Sequence, residues 1–284
     1  MLYLLAGEIP DGNLLAGKMP YGNRHRITKR STPSMTADDH LLARDLAEQA
    51  GQRLLELRTR GGDPAQLKAD GDRLSHEFLM AEFARLRPGD AVLSEEGKDD
   101  SARLTSERVW IIDPLDGTRE FGEVPRTDWA VHVALWERGE LTAGAVALPA
   151  QGQTLSTGDP VPSPAEVASG GAPLRIVISR SRPPAFMQRL AEITGAELVP
   201  LGSAGAKAAT VILGENDAYV HAGGQYEWDS AAPVAVARSR GLHTSRIDGS
   251  EIAYNQPHPW MPDLLVCRSA LATDLLGAIS KAGS

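Results

Sequence analysis

The sequence predicts a mixed α+β / α/β fold in which two sheet-containing layers are covered by helices. Three observations carry that expectation. Two stretches of helical period precede a group of short apolar strands, strands and helices alternate after residue 174, and a stretch rich in Gly, Ser and Pro separates the two patterns. At 284 residues the chain is long enough for one large domain or two packed halves. The expected boundaries are a disordered extension over 1–35, an α+β half over 36–150, a linker or surface excursion over 151–173, and an α/β half over 174–284.

The first helix is signalled by Thr36 followed by Asp39, an acidic capping box with Asp38 also in the first turn. Leu41, Leu42, Leu46, Ala50, Leu54 and Leu57 then recur at helical spacing. After the polar loop RGGDPAQ, a second helix is expected from about 72 to 86, with Leu74, Phe78, Leu79 and Phe83 inward. AVLSEE (91–96), RVWIID (108–113), WAVHVALW (129–136) and LTAGAVALP (141–149) read as strands, the last two as antiparallel neighbours. Beyond the excursion come a strand at 174–179, a helix at 184–194, a strand at 197–200, a helix stopped by Gly214, a strand at 217–221, a helix opening near Asp229, and a strand–helix pair over 264–282.

Composition narrows the function. A formal net charge of −8 argues against a nucleic-acid polymer or an anionic membrane as partner. The single cysteine, Cys267, excludes an internal disulfide, reads as a core filler and suits a reducing cytoplasm. No run of about 18 apolar residues occurs, so no membrane-spanning helix is expected. LLAGEIPDGN (4–13) followed by LLAGKMPYGN (14–23) is a near-repeat too short for a solenoid, and the basic RHRITKR comes next. These residues read as an extension ahead of a natural start at Met35, with a docking arm as the alternative.

The acids are placed where strands or loops meet helices: Asp70/Asp72, Glu95/Glu96, Asp113/Asp116 and Asp229. In WIIDPLDGTREF the apolar run buries a strand, Pro114 interrupts its ladder, and Asp113 stands at the exit. The turn brings Asp116 back toward it, and the N–H groups of Gly117 and Thr118 begin a helix able to receive a phosphate. Carboxylates beside such amides repel a phosphate unless cations lie between them, and Mg²⁺ prefers oxygen ligands. An Asp–Gly turn or an N-cap would account for each acid alone.

Three ordered motifs, WIIDPLDGTREF, the upstream SEE and the later WDSAA, make the chain resemble the inositol monophosphatase superfamily from about residue 38 onward. The resemblance implies a layered α-β-α-β-α sandwich of the inositol monophosphatase / fructose-1,6-bisphosphatase type. It implies a phosphomonoesterase with two or three Mg²⁺ ions, Mn²⁺ as a substitute and Li⁺ as an inhibitor. The implied metal ligands are Glu95, Asp113, the Leu115 carbonyl, Asp116 and Asp229. The implied catalytic pair is Asp72 with Thr118, which orients and deprotonates a metal-bound water; Asp70 competes for the acid's place. Glu96 is expected behind the ligands, and His132 and His221 are read as packing or hydrogen-bonded histidines. A homodimer is implied by analogy.

Substrate choice leans to 3′-phosphoadenosine 5′-phosphate. DGTREF, ISRSRPP and LGSAGAK resemble segments of the CysQ-type nucleotide phosphatases in that superfamily, which serve sulfate assimilation. Ser179, Arg180, Ser181, Ser203 and Lys207, with Gly117 and Thr118, are the expected substrate contacts. Ala222 stands where inositol monophosphatases carry a glutamate for a sugar hydroxyl. HAGGQYEWD lacks an arginine that nucleotide phosphatases often carry, and GSAGAK has one extra residue. The alternatives are an inositol or fructose-bisphosphate phosphatase of broad specificity, or an inactive nucleotide- or metal-binding module.

Overall fold

An unbroken apolar run such as RVWIID is more than a sheet with one buried face requires; it needs cover on both sides. The computed structural model shows that cover. It describes residues 35–160 and 173–283, with side chains from Asp39 onward. The near-repeat, the basic segment, the Thr36 and Asp38 side chains and residues 161–172 lie outside the described residues.

Two helices come first, α1 (Met35–Arg60) and α2 (Pro64–Leu86). The first sheet has strands β1 (Ala91–Ser94), β2 (Arg108–Asp116), β3 (Ala130–Glu137), β4 (Glu140–Leu148) and β5 (Gln153–Ser156), in that order, with a short helix α3 (Thr118–Gly122) after β2. Only the β1–β2 pair is parallel within it. The second half adds β6 (Arg175–Ser179), α4 (Met187–Thr194), β7 (Glu197–Leu201), α5 (Ala204–Ile212), β8 (Ala218–Tyr226), α6 (Glu227–Ser239), β9 (His243–Ser245), β10 (Trp260–Cys267) and α7 (Ala272–Gly283). Its strands run in the order β7-β6-β8-β10-β9. Among the described residues, no helix is long and apolar enough to cross a membrane.

Side-chain alternation assigns the layers. Trp110, Ile112, Val131, Val133 and Leu135 pack with Leu46, Leu54, Leu79 and Phe83 of α1 and α2. Val109, Ile111, Ala130 and Ala134 point the other way, into a core shared with α5, α6, β8 and β10. Ile176, Val220 and Leu265 face α4 and α7 on the far side. The order is α-β-α-β-α, as the resemblance implied. The sheets are layers of one unit, residues 33–284.

Several local expectations are corrected. Helix α2 begins at Pro64, because Asp63 caps it by accepting from the N–H groups of Ala65 and Gln66 and proline suits the first helical position. Asp70 and Asp72 therefore lie inside the helix rather than ahead of it. Asp39 is buried and accepts from Arg87 and Arg108 at 2.8 and 2.9 Å. Leu41, one of the residues at helical spacing in α1, is 60% exposed. The excursion after residue 150 contributes β5, paired antiparallel to β4.

Candidate active site

Strand β2 carries the central device. Asp113 pairs with His132 and Asp116 with Ala130, so three steps on β2 oppose two on β3. That extra residue is a β-bulge over Pro114 and Leu115, where a proline costs no ladder bond. Without the bulge, strict alternation would send Asp116 to the α1/α2 face. With it, Asp116 joins Asp113 on the inner face while Leu115 packs outward. Ser75 of α2 donates to the Pro114 carbonyl at 2.7 Å, and the Leu115 N–H donates to Asp113 Oδ1 at 3.0 Å, which fixes the bulge. Gly117 follows in the left-handed region at φ 83°, a conformation that favours glycine.

Asp229 reaches the same place from the first turn of α6. One of its oxygens accepts from the Tyr226 N–H at 2.6 Å, so it is also a helix cap. Carboxylate oxygens of Asp113, Asp116 and Asp229 all lie within 4.8 Å of one another. Glu95, just past β1, opens onto the same cavity. Loss of water there pushes Glu95 up to about 7, helped by the charges of Asp229, Asp116 and Glu96 against a hydrogen bond with Asp113. Burial, then Glu95, Asp116 and Asp229, raise Asp113 as well, and the close pair shares a proton more readily than it bears two charges. Burial and Asp116 push Asp229 up to about 6.

Asp116 behaves differently. Burial would raise it, but His132, Lys207 and Ser203 hold it well below the usual carboxylate range. It accepts from the Ser203 hydroxyl at 2.5 Å and from the N–H groups of Ala204 and Gly205 at 3.0 and 2.6 Å, all at the start of α5. His132 Nε2 stands 3.2 Å from the same carboxylate, and its Nδ1 donates to the Trp228 carbonyl at 3.0 Å. Nε2 approaches that carboxylate without hydrogen-bond geometry, so the contact is electrostatic and favours the charged imidazolium. Burial opposes that charge, yet Asp116 outweighs it and raises His132. A Cβ on Gly205 would meet His132 Nε2 at 2.1 Å, so this close approach needs glycine. His132 is a buried, hydrogen-bonded histidine, as expected; its contact with Asp116 follows from its place on the inner face of β3 opposite Asp113.

Thr118 sits at the cluster's edge. Its hydroxyl lies 3.1 Å from Asp72 and 3.0 Å from the Leu115 carbonyl, with one proton for two acceptors. The structure brings Asp72, not Asp70, to Thr118; Asp70 pairs with Arg73 at 2.8 Å. Burial and then the charge of Glu96 push Asp72 up to about 6.

The cluster borders a cavity of about 700 Å³ whose lining includes Gly117, Thr118, Ser179, Ser181, Ser203 and Lys207. Ser203 and Lys207 are turned to structural tasks at the same time. Ser203 holds Asp116, and Lys207 donates to the carbonyls of Gly202 and Ser203 at 3.2 and 2.6 Å. Burial lowers Lys207 despite Asp116 nearby. Arg180 is not in the lining: Glu120 and Glu123 hold its guanidinium at 2.7 and 2.6 Å. Arg182, two residues on, lines the cavity instead. His221, Gln225, Tyr226, Trp228 and Trp260 complete that side; of these only Trp228 belongs to one of the motifs, WDSAA.

A family model described as the inositol monophosphatase family matches residues 40–282. The chain belongs to the inositol monophosphatase family. This family is metal-dependent, and the acidic cluster gives the chain a place to hold a cation. Within the family, the chain is 50% identical over 254 residues to the 3′-phosphoadenosine 5′-phosphate phosphatase of Mycobacterium leprae, spanning 85% of this chain and 93% of that one. It is 52% identical over 240 residues to the protein of the same description from Mycobacterium tuberculosis, spanning 82% and 90%. Among solved structures, inositol monophosphatase-II of Staphylococcus aureus aligns at a TM-score of 0.70 with 20% identity, covering 83% of this chain and 90% of that one, which bears on the fold alone. CysQ from Bacteroides thetaiotaomicron aligns at 0.67 with 25% identity, covering 82% and 97%.

Proposed function

We propose that the chain is a Mg²⁺-dependent phosphomonoesterase that removes the 3′-phosphate of 3′-phosphoadenosine 5′-phosphate. The observation that carries this reading is the Thr118 hydroxyl held between Asp72 and the Leu115 carbonyl beside three clustered carboxylates. A module that only binds nucleotides or metal has no use for that pair. The relatives of about half-identical sequence support the substrate.

The donor set fits the cation. Glu95, Asp113, Asp116, Asp229 and the Leu115 carbonyl are all hard oxygen ligands, and the repulsion that raises Glu95, Asp113 and Asp229 is what divalent charge relieves. When bound, two or three such ions supply Lewis acidity toward water and toward the phosphoryl oxygens, with Mn²⁺ able to substitute and Li⁺ to inhibit.

The chain's own groups do the positioning. Asp72 accepts from the Thr118 hydroxyl, which leaves the Thr118 oxygen to accept a hydrogen bond from the attacking water and fix its line of approach. The start of α3 has no side-chain cap, so the N–H groups of Gly117 and Thr118 are suited to phosphate oxygens. Arg182, with Ser179 and Ser181, supplies charge and hydroxyls for the second phosphate. In this reading the enzyme works in the cytoplasm, as a homodimer, on a small phosphomonoester, without a nucleic-acid polymer or membrane as partner.

The test is Mg²⁺-dependent phosphate release from 3′-phosphoadenosine 5′-phosphate, inositol 1-phosphate and fructose 1,6-bisphosphate side by side. The expected result is a clear preference for the nucleotide. A preference for either sugar phosphate overturns the substrate, and release from none overturns the enzyme.

A further inference from the structure

Two residues precede Asp229 in α6, and each is tied to the first half of the chain. The Trp228 carbonyl accepts from His132 of β3. Glu227 is fully buried, and its two carboxylate oxygens accept from the backbone N–H groups of Asn255 and Gln256 at 2.7 and 2.8 Å. The Asn255 side chain carries the connection onward. Its Oδ1 accepts from Arg103 Nη1 at 2.7 Å, and its Nδ2 donates to the Arg103 carbonyl at 3.2 Å. Arg103 also donates to the Gln256 carbonyl at 2.9 Å and to the two oxygens of Asp99 at 2.7 and 2.9 Å.

Arg103 and Asn255 are buried, at 1% and 6% exposure, and none of the three side chains lines the cavity. Asn255 adopts φ 57°, a left-handed conformation for which asparagine is one of the few suited side chains. A buried guanidinium and a buried carboxylate are costly, and apolar residues of the same volume would hold the layers together at least as well. What a set of directed hydrogen bonds supplies instead is a defined relative position. The positions at stake lie at the network's two ends. Arg103 sits in the connection between β1 and β2, which opens with Glu95, and Glu227 begins the turn that presents Asp229. Glu95 and Asp229 both line the cavity.

We propose that the Arg103–Asn255–Glu227 network is a positioning device for the cation site: it holds the Glu95 loop and the first turn of α6 in one register, so that their carboxylates meet at one site. The assignment rests on the metal reading above and extends it to residues that touch neither cation nor substrate.

Two variants test it. Asn255→Gly suits the same backbone conformation and keeps the N–H that Glu227 accepts from, so only the side-chain link to Arg103 is lost. Arg103→Lys keeps the charge but lacks the fork that spans Asp99, Asn255 and Gln256. Mn²⁺ titrated into the metal-free protein and followed by electron spin resonance reads affinity without turnover. Each variant should raise the Mn²⁺ dissociation constant by about 10-fold or more, as loss of a support behind metal ligands does, while KM for substrate at saturating metal stays at the wild-type value. Ile279→Val, buried in the far layer on α7, should lower the melting temperature and leave the dissociation constant unchanged. An unchanged dissociation constant in either network variant overturns the proposal. An equal rise in Ile279→Val also overturns it, because affinity would then follow stability alone. Absence of Mn²⁺ binding by the wild type would instead remove the metal reading, and this assignment with it.

Discussion

Asp72 and Thr118, 46 residues apart in the chain, meet at 3.1 Å beside the carboxylates of β2. The helix that carries Asp72 is the one that pins the bulge through Ser75, so one element sets both this pair and the placement of the β2 carboxylates.

Thr118→Ala and Asp72→Asn are expected to lower kcat by about 10²- to 10⁴-fold, the usual share of a positioned acid–base group. KM should change little, and so should the melting temperature of Thr118→Ala, since Thr118 lines the cavity rather than a core. Steady-state kinetics beside thermal melts checks this. A loss confined to KM would assign the pair to binding alone.

Ser203→Ala removes a donor to Asp116 and the side-chain cap of α5, whose Ala206 N–H it accepts at 3.0 Å. The Mg²⁺ concentration for half-maximal activity should rise by about 10- to 100-fold, as when a ligand loses its supporting partner. A higher KM for substrate at an unchanged Mg²⁺ requirement would make Ser203 a direct substrate contact instead.

Arg182→Ala should raise KM for the bisphosphate by about 10-fold and leave a 3′-monophosphate nucleoside unaffected, since one charge-assisted contact is lost only where the second phosphate exists. Arg180→Ala removes a guanidinium held by Glu120 and Glu123, so its main effect should be on stability. The measurement is KM for the two substrates in both variants.

The metal-free site has a definite pH response. Glu95 sits at about 7 against an ordinary 4.5, and Asp72 and Asp229 at about 6 against 3.8. A carboxyl raised in the folded state contributes stability that is complete below its unfolded value and lost as pH rises through its folded value. Metal-free protein should therefore melt higher at pH 5 than at pH 8. The gap should be a few degrees, because Glu95 opens to solvent and screening reduces its share. Mg²⁺ should raise the melting temperature at pH 8 far more than at pH 5. Asp113→Asn should cut turnover on the order of 10³-fold or more while raising the metal-free melting temperature at pH 8, since it removes one buried charge from the cluster.

Much of this was legible in the sequence for physical reasons. Strands β2 and β3 are buried on both faces, so their apolar runs are long and unmistakable. Asp113, Asp116 and Asp229 sit in short motifs whose turn and cap chemistry is local. What escaped depends on partners far along the chain. The start of α2 was signalled by Asp63–Pro64 but was masked by the polar run around it. Arg180 and Arg182 are equivalent as sequence; Glu120 and Glu123 separate them. The flip that aligns Asp116 with Asp113 is one residue of register, visible only once β3 is opposite. Gln225 lies on a strand whose far half, Ala222 to Gln225, reads as loop.

The division of the acidic cluster along the chain has a consequence for inheritance. Glu95, Asp113 and Asp116 lie before residue 160, whereas Asp229 and the Ser203 that anchors Asp116 lie after 173. A chimera of two relatives joined between those points would take its site from both parents. Substitutions in the GSAG segment therefore have to evolve in step with those around DPLDG, even though no single stretch of chain contains the site.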